Sequence, residues 1–215
     1  MVSLALRETS EINGSRRNRR RTETKERLFR TALQLFAKKG YVNTRVEEIT
    51  AAADVAKGTF FNYFPTKEHL LFALSEHQQE VVRHAGASVK GAKSVKPVIE
   101  QFAHDIAAGP GGSPLMMRSL LGTAFLHEVM VKRFSELLTF GRGEIAKIME
   151  RGQELGEIRT DHSPEQLARG LQSVIFGTNA LWALCGDKDL HESLSNSLEV
   201  FWRGVEARTN RKERK

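Results

Sequence analysis

The sequence predicts an all-α protein, with a small N-terminal domain of three helices followed by a larger C-terminal helical bundle. Apolar residues recur at intervals of three and four through most of the chain, which is the spacing of one buried helix face. Residues that start and stop helices separate these stretches: Ser, Thr or Asp before them, Gly or Pro after them. The early helices are short and the later ones long, which indicates a division at about residue 68.

The composition is that of an ordinary globular protein. The chain has 215 residues, 40% of them hydrophobic and 27% charged, enough for one or two domains. Its one cysteine, Cys185, excludes a disulfide framework and a cysteine-based zinc site within one chain. The apolar run in MVSLALRETS is too short for a signal peptide, and no stretch approaches the roughly 20 apolar residues of a membrane span. We therefore expect a soluble, cytoplasmic protein.

The net charge of +7 is concentrated near the two ends of the chain. Residues 1–45 hold 12 Lys/Arg against 4 Asp/Glu, and residues 208–215 hold 5 against 1. The net charge of residues 46–207 is therefore negative. Charge runs of this kind are commonly solvated and serve solubility. The alternative is that the basic ends seek phosphate groups.

A flexible basic arm is expected over residues 1–21, because this stretch lacks apolar periodicity and contains the run SRRNRRR. The first helix is expected to begin at residues 22–24, with apolar positions three and four apart. Gly40 ends it after two lysines in the last turn. These features open a domain that we expect to span residues 22–68.

Two further short helices follow in this domain. Thr44 and Glu47 have the spacing of a capping box that starts the second helix. After a turn of about three residues, a third helix is expected over residues 56–64. Thr66 then caps a long fourth helix, and the ammonium of Lys67 beside that N-terminus predicts a phosphate contact. Two short helices joined by a tight turn and braced by a longer one form a helix-turn-helix, whose second helix enters the major groove of DNA.

The third helix, within VAKGTFFNYF, is poorly suited to a structural role alone. Gly58 weakens a helix by about 1 kcal/mol relative to Ala, and Lys57 at its start opposes the helix dipole. Phe60 and Phe64 are four residues apart and are expected to anchor one side in the core. The residues nearer the other side are Thr59, Phe61, Asn62 and Tyr63. A short amphipathic helix with a chance glycine is the plainer alternative, but capping, spacing and the basic arm agree on DNA.

The stretch TALQLFAKKGYVNTRVEEITAAADVAKGTFFNYFPTKEHLLFAL resembles the N-terminal domain of tetracycline-repressor (TetR) family regulators. The resemblance covers about residues 24–75 and rests on an ordered series of features. These are F-x-x-x-G-Y at the end of the first helix, a Thr-capped second helix, K-G-T-F, the aromatic run and T-K-E-x-L. Beyond this stretch, the chain resembles the family only as an all-helical domain.

The resemblance implies particular roles for residues of the N-terminal domain. Lys57, Gly58 and Thr59 would open the recognition helix, with Phe61 and Asn62 facing bases. Phosphate contacts would come from Thr44, Tyr63 and Lys67. The minor groove would be reached by the arm that carries Arg19, Arg20 and Arg21. The resemblance also implies a double-stranded DNA operator as partner, and repression is the family tendency.

Three residues depart from the usual family pattern. Asp54 replaces the usual turn glycine, and aspartate tolerates the left-handed conformation better than most residues. Ala56 replaces the usual Ser cap, which costs the recognition helix about 1 kcal/mol. Phe61 replaces a common Tyr, which leaves an apolar face suited to thymine methyl groups. The fold is expected to survive all three changes.

Residues 69–208 are expected to form the second domain, followed by a basic tail over residues 209–215. Ser163 and Asp189 are expected to cap the last two helices. The penultimate helix is apolar on more than one face, so it is buried on two sides, by the monomer core or by a partner. The family forms a homodimer through a four-helix bundle of these helices. The expected interface residues are Leu171, Val174, Leu181, Leu194, Leu198 and Phe201.

An effector pocket for a small hydrophobic ligand is also expected in the second domain, as the resemblance implies. Methionine and aromatic residues at helical spacing are more often plain core. The expected lining residues are Phe102, Met116, Met117, Phe125, Phe140, Phe176 and Trp182, with Met130 as a further member. His104 and His127 are candidate polar groups, although each is more often solvent-facing or satisfied elsewhere.

Enzymatic motifs are incomplete or missing in the sequence. LHEVMV begins like a zinc-protease helix, but Val131 stands at the position of the second His. The Gly-rich loop before Ser113 lacks the Lys of a phosphate-binding loop. We therefore expect no enzyme activity, no cofactor and no metal. The hypothesis is a homodimeric repressor released from a palindromic operator by a hydrophobic ligand. The alternatives are a ligand-independent DNA-binding protein or activator, and a helical adaptor whose basic ends bind RNA or acidic membranes.

Overall fold

A computed structural model describes residues 2–108, 113–126, 128–186 and 189–207, with the backbone alone for residues 2–17. Across these ranges the chain is helical, and its one extended pairing is a bridge between Ile158 and Glu206. None of these helices is both long and apolar enough to cross a membrane. The helices are α1 (Val2–Lys39), α2 (Val46–Ala52), α3 (Lys57–Tyr63), α4 (Glu68–Ser88), α5 (Lys96–Ala108), α6 (Pro114–Leu126), α7 (Glu128–Glu154), α8 (Pro164–Cys185) and α9 (Leu190–Val205).

Helix α1 differs from the expectation at its N-terminus. Its backbone is helical from Val2, whereas a flexible arm was expected over residues 1–21. Arginine and glutamate, which are frequent over residues 16–26, are good helix formers. Arg19 also pairs with Glu23 one turn later, at 3.3 Å between Nε and Oε1. The predicted basic tail of residues 209–215 lies outside the described residues.

The N-terminal core is built from the inward faces of α1 to α4. On α1 these positions are Leu28, Ala32 and Phe36, each one turn after the last, and none is accessible to solvent. Phe60 and Phe64 are buried against the same cluster, so the inward orientation predicted from their spacing is confirmed. The cluster also includes Ile49 of α2, Leu70, Leu71 and Leu74 of α4, Met116 of α6 and Met130 of α7.

The turn between α2 and α3 has the predicted conformation. Asp54 adopts φ 51°, the left-handed region that aspartate tolerates. Ala56 caps α3 with extended backbone and no side-chain hydrogen bond, as expected for the missing Ser. The cap of α2 was predicted wrongly. Its N-cap is Arg45, whose backbone N–H donates to the Glu48 carboxylate at 2.8 Å, rather than Thr44 with Glu47.

The C-terminal core lies between α4, α5, α7, α8 and α9. Ser163 and Gln166 bond reciprocally at the start of α8, and the Asp189 carboxylate accepts the His191 backbone N–H at the start of α9. Both predicted caps are therefore confirmed. The buried cluster takes Leu167, Leu171 and Ile175 from α8, and Leu190, Leu194, Leu198 and Val205 from α9.

Helix α6 joins the two halves. The Ser113 hydroxyl, just before α6, donates to the Ala37 carbonyl of α1 at 2.7 Å. Gly40 follows α1 with φ +83°, and a Cβ there would come within 2.8 Å of the Ser119 hydroxyl. Met116 is buried among the N-terminal side chains. The end of α1 is therefore held against α6 by close packing.

Candidate nucleic-acid interface and buried cavity

Helix α3 presents a polar and aromatic face outside the N-terminal core. Because Phe60 and Phe64 fix its inner side, the residues on the opposite side of the helix point outward. Phe61 is 43% exposed, and its ring packs edge-on against Phe60 with 5.4 Å between centroids. The other exposed members are Lys57, Gly58 and Asn62, and Thr59 and Tyr63 are half-buried. The predicted recognition residues thus share one short helix and surround one outward face.

Gly58 lies on this face without any packing reason to be glycine. A Cβ built at this position has no heavy atom within 4 Å. Alanine therefore fits the free protein and has the higher helix propensity. The missing side chain instead leaves the α3 backbone open to close approach by another molecule.

Lys57 is paired on the surface of the motif. Its ammonium contacts the Glu47 carboxylate of α2, and the hydrogen bond from Lys57 is the main cause of the lowered pKa of Glu47. Both side chains are more than half exposed, so the pair is weak in water. The Lys57 ammonium can therefore leave Glu47 for a stronger anion with only a small loss of free energy.

Lys67 and Thr44 both bond to backbone carbonyls of the loop between α1 and α2. The Lys67 ammonium donates to the carbonyls of Tyr41 and Thr44, at 2.9 and 3.1 Å, and lies 4.2 Å from the Tyr41 ring centroid. Burial lowers the pKa of Lys67, although Glu68 opposes this shift. Thr44 is 1% exposed, and its hydroxyl donates to the Gly40 carbonyl at 2.8 Å. The Lys67 ammonium is therefore partly buried and already paired, and the Thr44 side chain does not reach the surface. The phosphate contacts of these two residues stay predictions.

The basic stretch of α1 begins close to the end of α3. The Lys25 ammonium lies 6.0 Å from the Phe64 ring centroid, at the C-cap of α3. A helix rises about 1.5 Å per residue. Arg21 therefore lies one turn before Lys25, towards the N-terminus of α1. Arg19, Arg20 and Arg21 are all exposed.

A cavity of about 230 Å³ lies between α4, α5, α6, α7 and α8. Of the predicted lining residues, it contains Phe102, Met117 and Phe176, together with Met130. Its remaining wall is mostly apolar and includes residues that the sequence did not single out. These are Leu71, Phe72, Leu74 and Val82 of α4, Leu120 and Leu121 of α6, and Phe134, Leu137 and Leu138 of α7. The apolar periodicity of α4 in the sequence could have predicted the part of this wall that α4 forms.

Four predicted lining residues lie outside the cavity. Met116 is buried in the N-terminal cluster, and Phe125 is 70% exposed. Phe140 and Trp182 pack against the C-terminal core, and the Phe140 ring lies 5.4 Å from the Arg83 guanidinium. Periodicity marked these side chains as apolar but did not decide which interior they enter. These four residues are therefore not part of the cavity wall.

Neither of the two predicted histidines is among the described residues that line the cavity. His104 stacks on His191 at the surface, with 2.8 Å between their Nδ1 atoms. His127 lies outside the described residues. The polar residues that do line the cavity are Ser75, Gln78, Thr123, Arg133, Gln172 and Asn179. Within the described ranges, no three His, Cys, Asp or Glu residues are grouped to hold a metal ion.

The predicted dimer residues divide into core and surface. Leu171, Leu194 and Leu198 are at most 4% exposed and belong to the monomer core, so they are not interface residues here. Val174 and Phe201 are half-buried. Leu181 and Leu184 of α8 are 63% and 70% exposed, and Val200 of α9 is 74% exposed. Three of the six predicted interface residues thus belong to inward stripes, whereas Leu181 lies on an outward face.

The α2–turn–α3 geometry, the outward residues of α3 and the basic α1 define a helix-turn-helix DNA-binding protein. Residues 28–74 match the family model described as bacterial regulatory proteins, tetR family. The chain is 31% identical over 152 residues to the HTH-type transcriptional repressor DhaR of Mycobacterium sp. (strain GP1), covering 69% of this chain and 76% of that protein. It belongs to the TetR family of transcriptional regulators, as the sequence resemblance predicted.

Two further relatives extend the match across the second domain. The HTH-type transcriptional regulator TcmR of Streptomyces glaucescens is 29% identical over 193 residues, covering 85% of this chain and 83% of that protein. The crystal structure of Thermus thermophilus FadR in complex with lauroyl-CoA is 26% identical, with a TM-score of 0.58 over 89% of this chain and 100% of that one. The all-α fold with an N-terminal helix-turn-helix is therefore confirmed. The protein is a DNA-binding transcriptional regulator of the repressor type and not an enzyme.

Proposed function

We propose that this protein is a homodimeric repressor that binds a palindromic operator and leaves it when a small, mostly apolar effector fills the cavity. The observation that carries the proposal is a shared wall. Leu71, Leu74 and Met130 line the cavity and are also buried members of the N-terminal cluster. A ligand that moves these side chains therefore acts directly on the core that holds the helix-turn-helix.

The proposed DNA contact places α3 in the major groove. Phe61 and Asn62 face the bases, because they are exposed in the middle and last turn of α3. Asparagine pairs well with adenine, and an aromatic ring with a thymine methyl group. Lys57 exchanges Glu47 for a phosphate, and the exposed arginines of α1 supply further charge.

The effect of the ligand on α3 is transmitted through α4 and α6. Met117, Leu120 and Leu121 of α6 line the cavity, and the same helix packs against the end of α1 through Ser113 and Ser119. Interfaces this closely packed respond to a ligand as units rather than by gradual deformation. A shift of α6 therefore changes where α1 holds the recognition helix.

The proposed dimer surface is the outward stripe of α8. Ser173, Gly177, Leu181 and Leu184 follow one another at intervals of four and three residues, and the two leucines are exposed. A Cβ at Gly177 meets nothing within 4 Å in the monomer. Small residues beside exposed leucines suit the close approach of a second helix. Two-fold symmetry would then present two α3 helices to paired half-sites.

The effector model is tested with apolar and aromatic compounds of benzene size and above. Compounds that raise the melting temperature are expected to weaken operator binding, measured by fluorescence anisotropy, because a ligand of the native state stabilises it by mass action. Ala180→Leu places a larger side chain on the cavity wall and is expected to abolish both effects while DNA binding persists. Compounds that stabilise the protein yet never change operator affinity would refute release by the effector.

The dimer is tested with Gly177→Arg. The arginine meets open space in the monomer, so the fold is expected to persist while sedimentation gives a monomer and operator binding falls. Gly143→Arg is the matched control, because its Cβ on α7 also meets nothing within 4 Å. A dimer that withstands Gly177→Arg contradicts the proposed surface.

A further inference from the structure

One charged side chain lines the cavity, and it lies where the cavity meets the solvent. Among the described residues of the wall, only Arg133 of α7 carries a charge, and only Arg133 is exposed rather than buried or half-buried. Its side chain is 58% exposed. A residue that lines an interior cavity and yet lies mostly in water marks the place where that cavity reaches the surface. The cavity therefore opens to solvent at Arg133.

The protein holds the guanidinium of Arg133 only loosely. Its carboxylate partner, Glu136 on the same helix, lies at 3.8 Å, which is longer than a hydrogen bond. The other described arginine–carboxylate pairs are all 3.3 Å or shorter. Exposed pairs contribute little free energy even when their geometry is good. The N–H donors of Arg133 are therefore available to an anion that is better placed.

Two residues of α4 border the same opening. The Arg133 guanidinium lies 5.2 Å from the ring centroid of Phe72, and Phe72 lines the cavity. This distance places the charged group itself, and not only the alkyl stem, beside the cavity wall. A guanidinium in contact with a ring keeps its N–H donors in its own plane, where a carboxylate can bind them. Ser75 also lines the cavity and follows Phe72 by three residues, so its hydroxyl is a further donor on the same face of α4.

Elsewhere on the wall, the polar groups are bonded within the protein or outnumbered by apolar ones. The Thr123 hydroxyl donates to the Ser119 carbonyl at 2.8 Å. The Gln172 amide nitrogen donates to the Leu138 carbonyl at 2.6 Å. Most of the remaining lining residues are Leu, Ile, Val, Phe and Met. The interior therefore suits a hydrocarbon tail, and the opening suits an anionic group.

We propose that the effector is an amphipathic organic acid, whose apolar tail fills the cavity and whose carboxylate pairs with Arg133 at the opening. This inference rests on the proposed function, because it takes the cavity as the effector site. The volume sets the size of the tail: an engineered cavity of about 150 Å³ binds benzene, and this one measures about 230 Å³. A phenyl ring with a short alkyl chain, as in 4-phenylbutyrate, matches both the tail and the charge.

Compounds that share a tail and differ in charge test the pairing. Binding of 4-phenylbutyrate, the neutral 4-phenylbutanol and the cation 4-phenylbutylamine is measured by calorimetry on the protein without DNA, alongside octanoate, octanol and octylamine. At low salt, each acid is expected to bind about fivefold tighter than its alcohol, the upper end for a solvent-exposed ion pair. High salt is expected to reduce this preference. An alcohol that binds as tightly as its acid, an amine that binds more tightly, or no binding in either series would overturn the inference.

Variants of α7 identify the charged group. Arg133→Met keeps a long side chain but removes the guanidinium, and it is expected to bind acid and alcohol equally while melting close to the wild type. Glu136→Gln removes the competing carboxylate and is expected to tighten acid binding about two- to threefold, with the alcohol unchanged. Lys132→Met is the matched control, because Lys132 is exposed and lies outside the cavity wall. An acid preference that survives Arg133→Met, or that Lys132→Met removes equally, would contradict the assignment.

The position of the tail is tested with Ala180→Leu, which narrows the cavity. This variant is expected to weaken binding of the acid and of the alcohol alike, because both tails need the same space. If the acid binds Ala180→Leu as tightly as the wild type, Arg133 holds it on the surface and the inference is wrong.

Operator release is measured separately, so the two proposals fail separately. If acids bind through Arg133 but leave operator affinity unchanged, the effector function fails and the ligand class stands. If neutral compounds release the operator while the preference for acids is missing, the ligand class fails and the function stands.

Discussion

The two halves of the molecule differ in where their proposed functional groups lie: on the surface in the N-terminal domain and in the interior in the C-terminal bundle. The N-terminal domain is closely packed inside, with Leu28, Phe36, Ile49 and Phe60 inaccessible to solvent, and its proposed contacts are on the outside of α3. The C-terminal bundle instead holds a cavity of about 230 Å³ in its interior. A surface site can therefore be altered with little effect on folding, whereas an interior site is part of the packing.

Because of this difference, the free energy of DNA binding and the free energy of unfolding respond differently to substitutions in the two halves. On α3, side chains such as Asn62 touch little of the protein, so a substitution changes DNA affinity and leaves stability almost unchanged. Around the cavity, Leu71 and Leu74 belong to both regions, and a substitution there changes stability, ligand binding and DNA binding together. Five predictions test this separation, beginning with the largest expected effect.

Phe60→Ala is expected to destabilise the protein by about 3–5 kcal/mol, because it removes a fully buried ring from the N-terminal core. Urea unfolding followed by circular dichroism measures the change. The neighbouring ring gives the control: Phe61→Ala is expected to change stability by less than about 1.5 kcal/mol, since Phe61 is 43% exposed. Equal effects at the two positions would show that α3 has no separate inner and outer faces.

Lys67→Ala is expected to lower the free energy of unfolding by about 1–2 kcal/mol. The loss is smaller than for a fully buried charged group, because Lys67 is only partly buried. Its ammonium holds the Tyr41 and Thr44 carbonyls, which close the loop between α1 and α2. DNA affinity is expected to fall for all sequences alike. Lys38→Ala, at an exposed position of α1, is the control. If Lys67→Ala left the stability unchanged, Lys67 would not stabilise this loop, and its role would be to bind phosphate alone.

Asn62→Ala is expected to reduce specific operator affinity by about 1–3 kcal/mol, with relaxed base preference at one position per half-site. Stability is expected to stay within about 0.5 kcal/mol of the wild type, because the side chain is exposed. Binding to variant operators across salt concentrations checks this. A steeper or shallower salt dependence with unchanged base preference would assign Asn62 to the DNA backbone instead.

Gly58→Ala is expected to stabilise the free protein by about 0.4–1 kcal/mol, since the new methyl group meets open space and the residue lies in a helix. Operator binding is expected to weaken at the same time, because the α3 backbone can no longer approach as closely. Thermal unfolding and anisotropy are measured on the same sample. A stabilised variant with undiminished affinity would mean that Gly58 makes no close approach.

Glu47→Gln is expected to have the smallest effect. It releases Lys57 from its surface pair and removes a negative charge beside α3, so affinity for all DNA is expected to rise modestly at low salt and to converge with the wild type at high salt. Melting temperature is expected to change little. Glu26→Gln on α1, where Glu26 pairs with Arg30 one turn away, is the control. No difference between the two variants would show that Lys57 already reaches the phosphates without giving up Glu47.

The sequence by itself determined the features that act over a few residues. The left-handed turn at Asp54, the caps at Ser163 and Asp189, and the inward pair of Phe60 and Phe64 each depend on neighbours within about one helical turn. The ordered series of such signals also indicated the family. Together they determined the all-α fold and the outward residues of α3.

The tertiary structure decided where side chains meet partners that are distant in the sequence. Periodicity showed that α9 has an apolar stripe, but only packing against α5 and α8 placed Leu194 inside the monomer rather than at a dimer surface. Lys67 reaches a carbonyl 26 residues away, and Met116 enters the N-terminal core instead of the cavity. A hydrophobic pattern fixes that a side chain is buried, whereas the element that buries it depends on how helices far apart in the chain pack together.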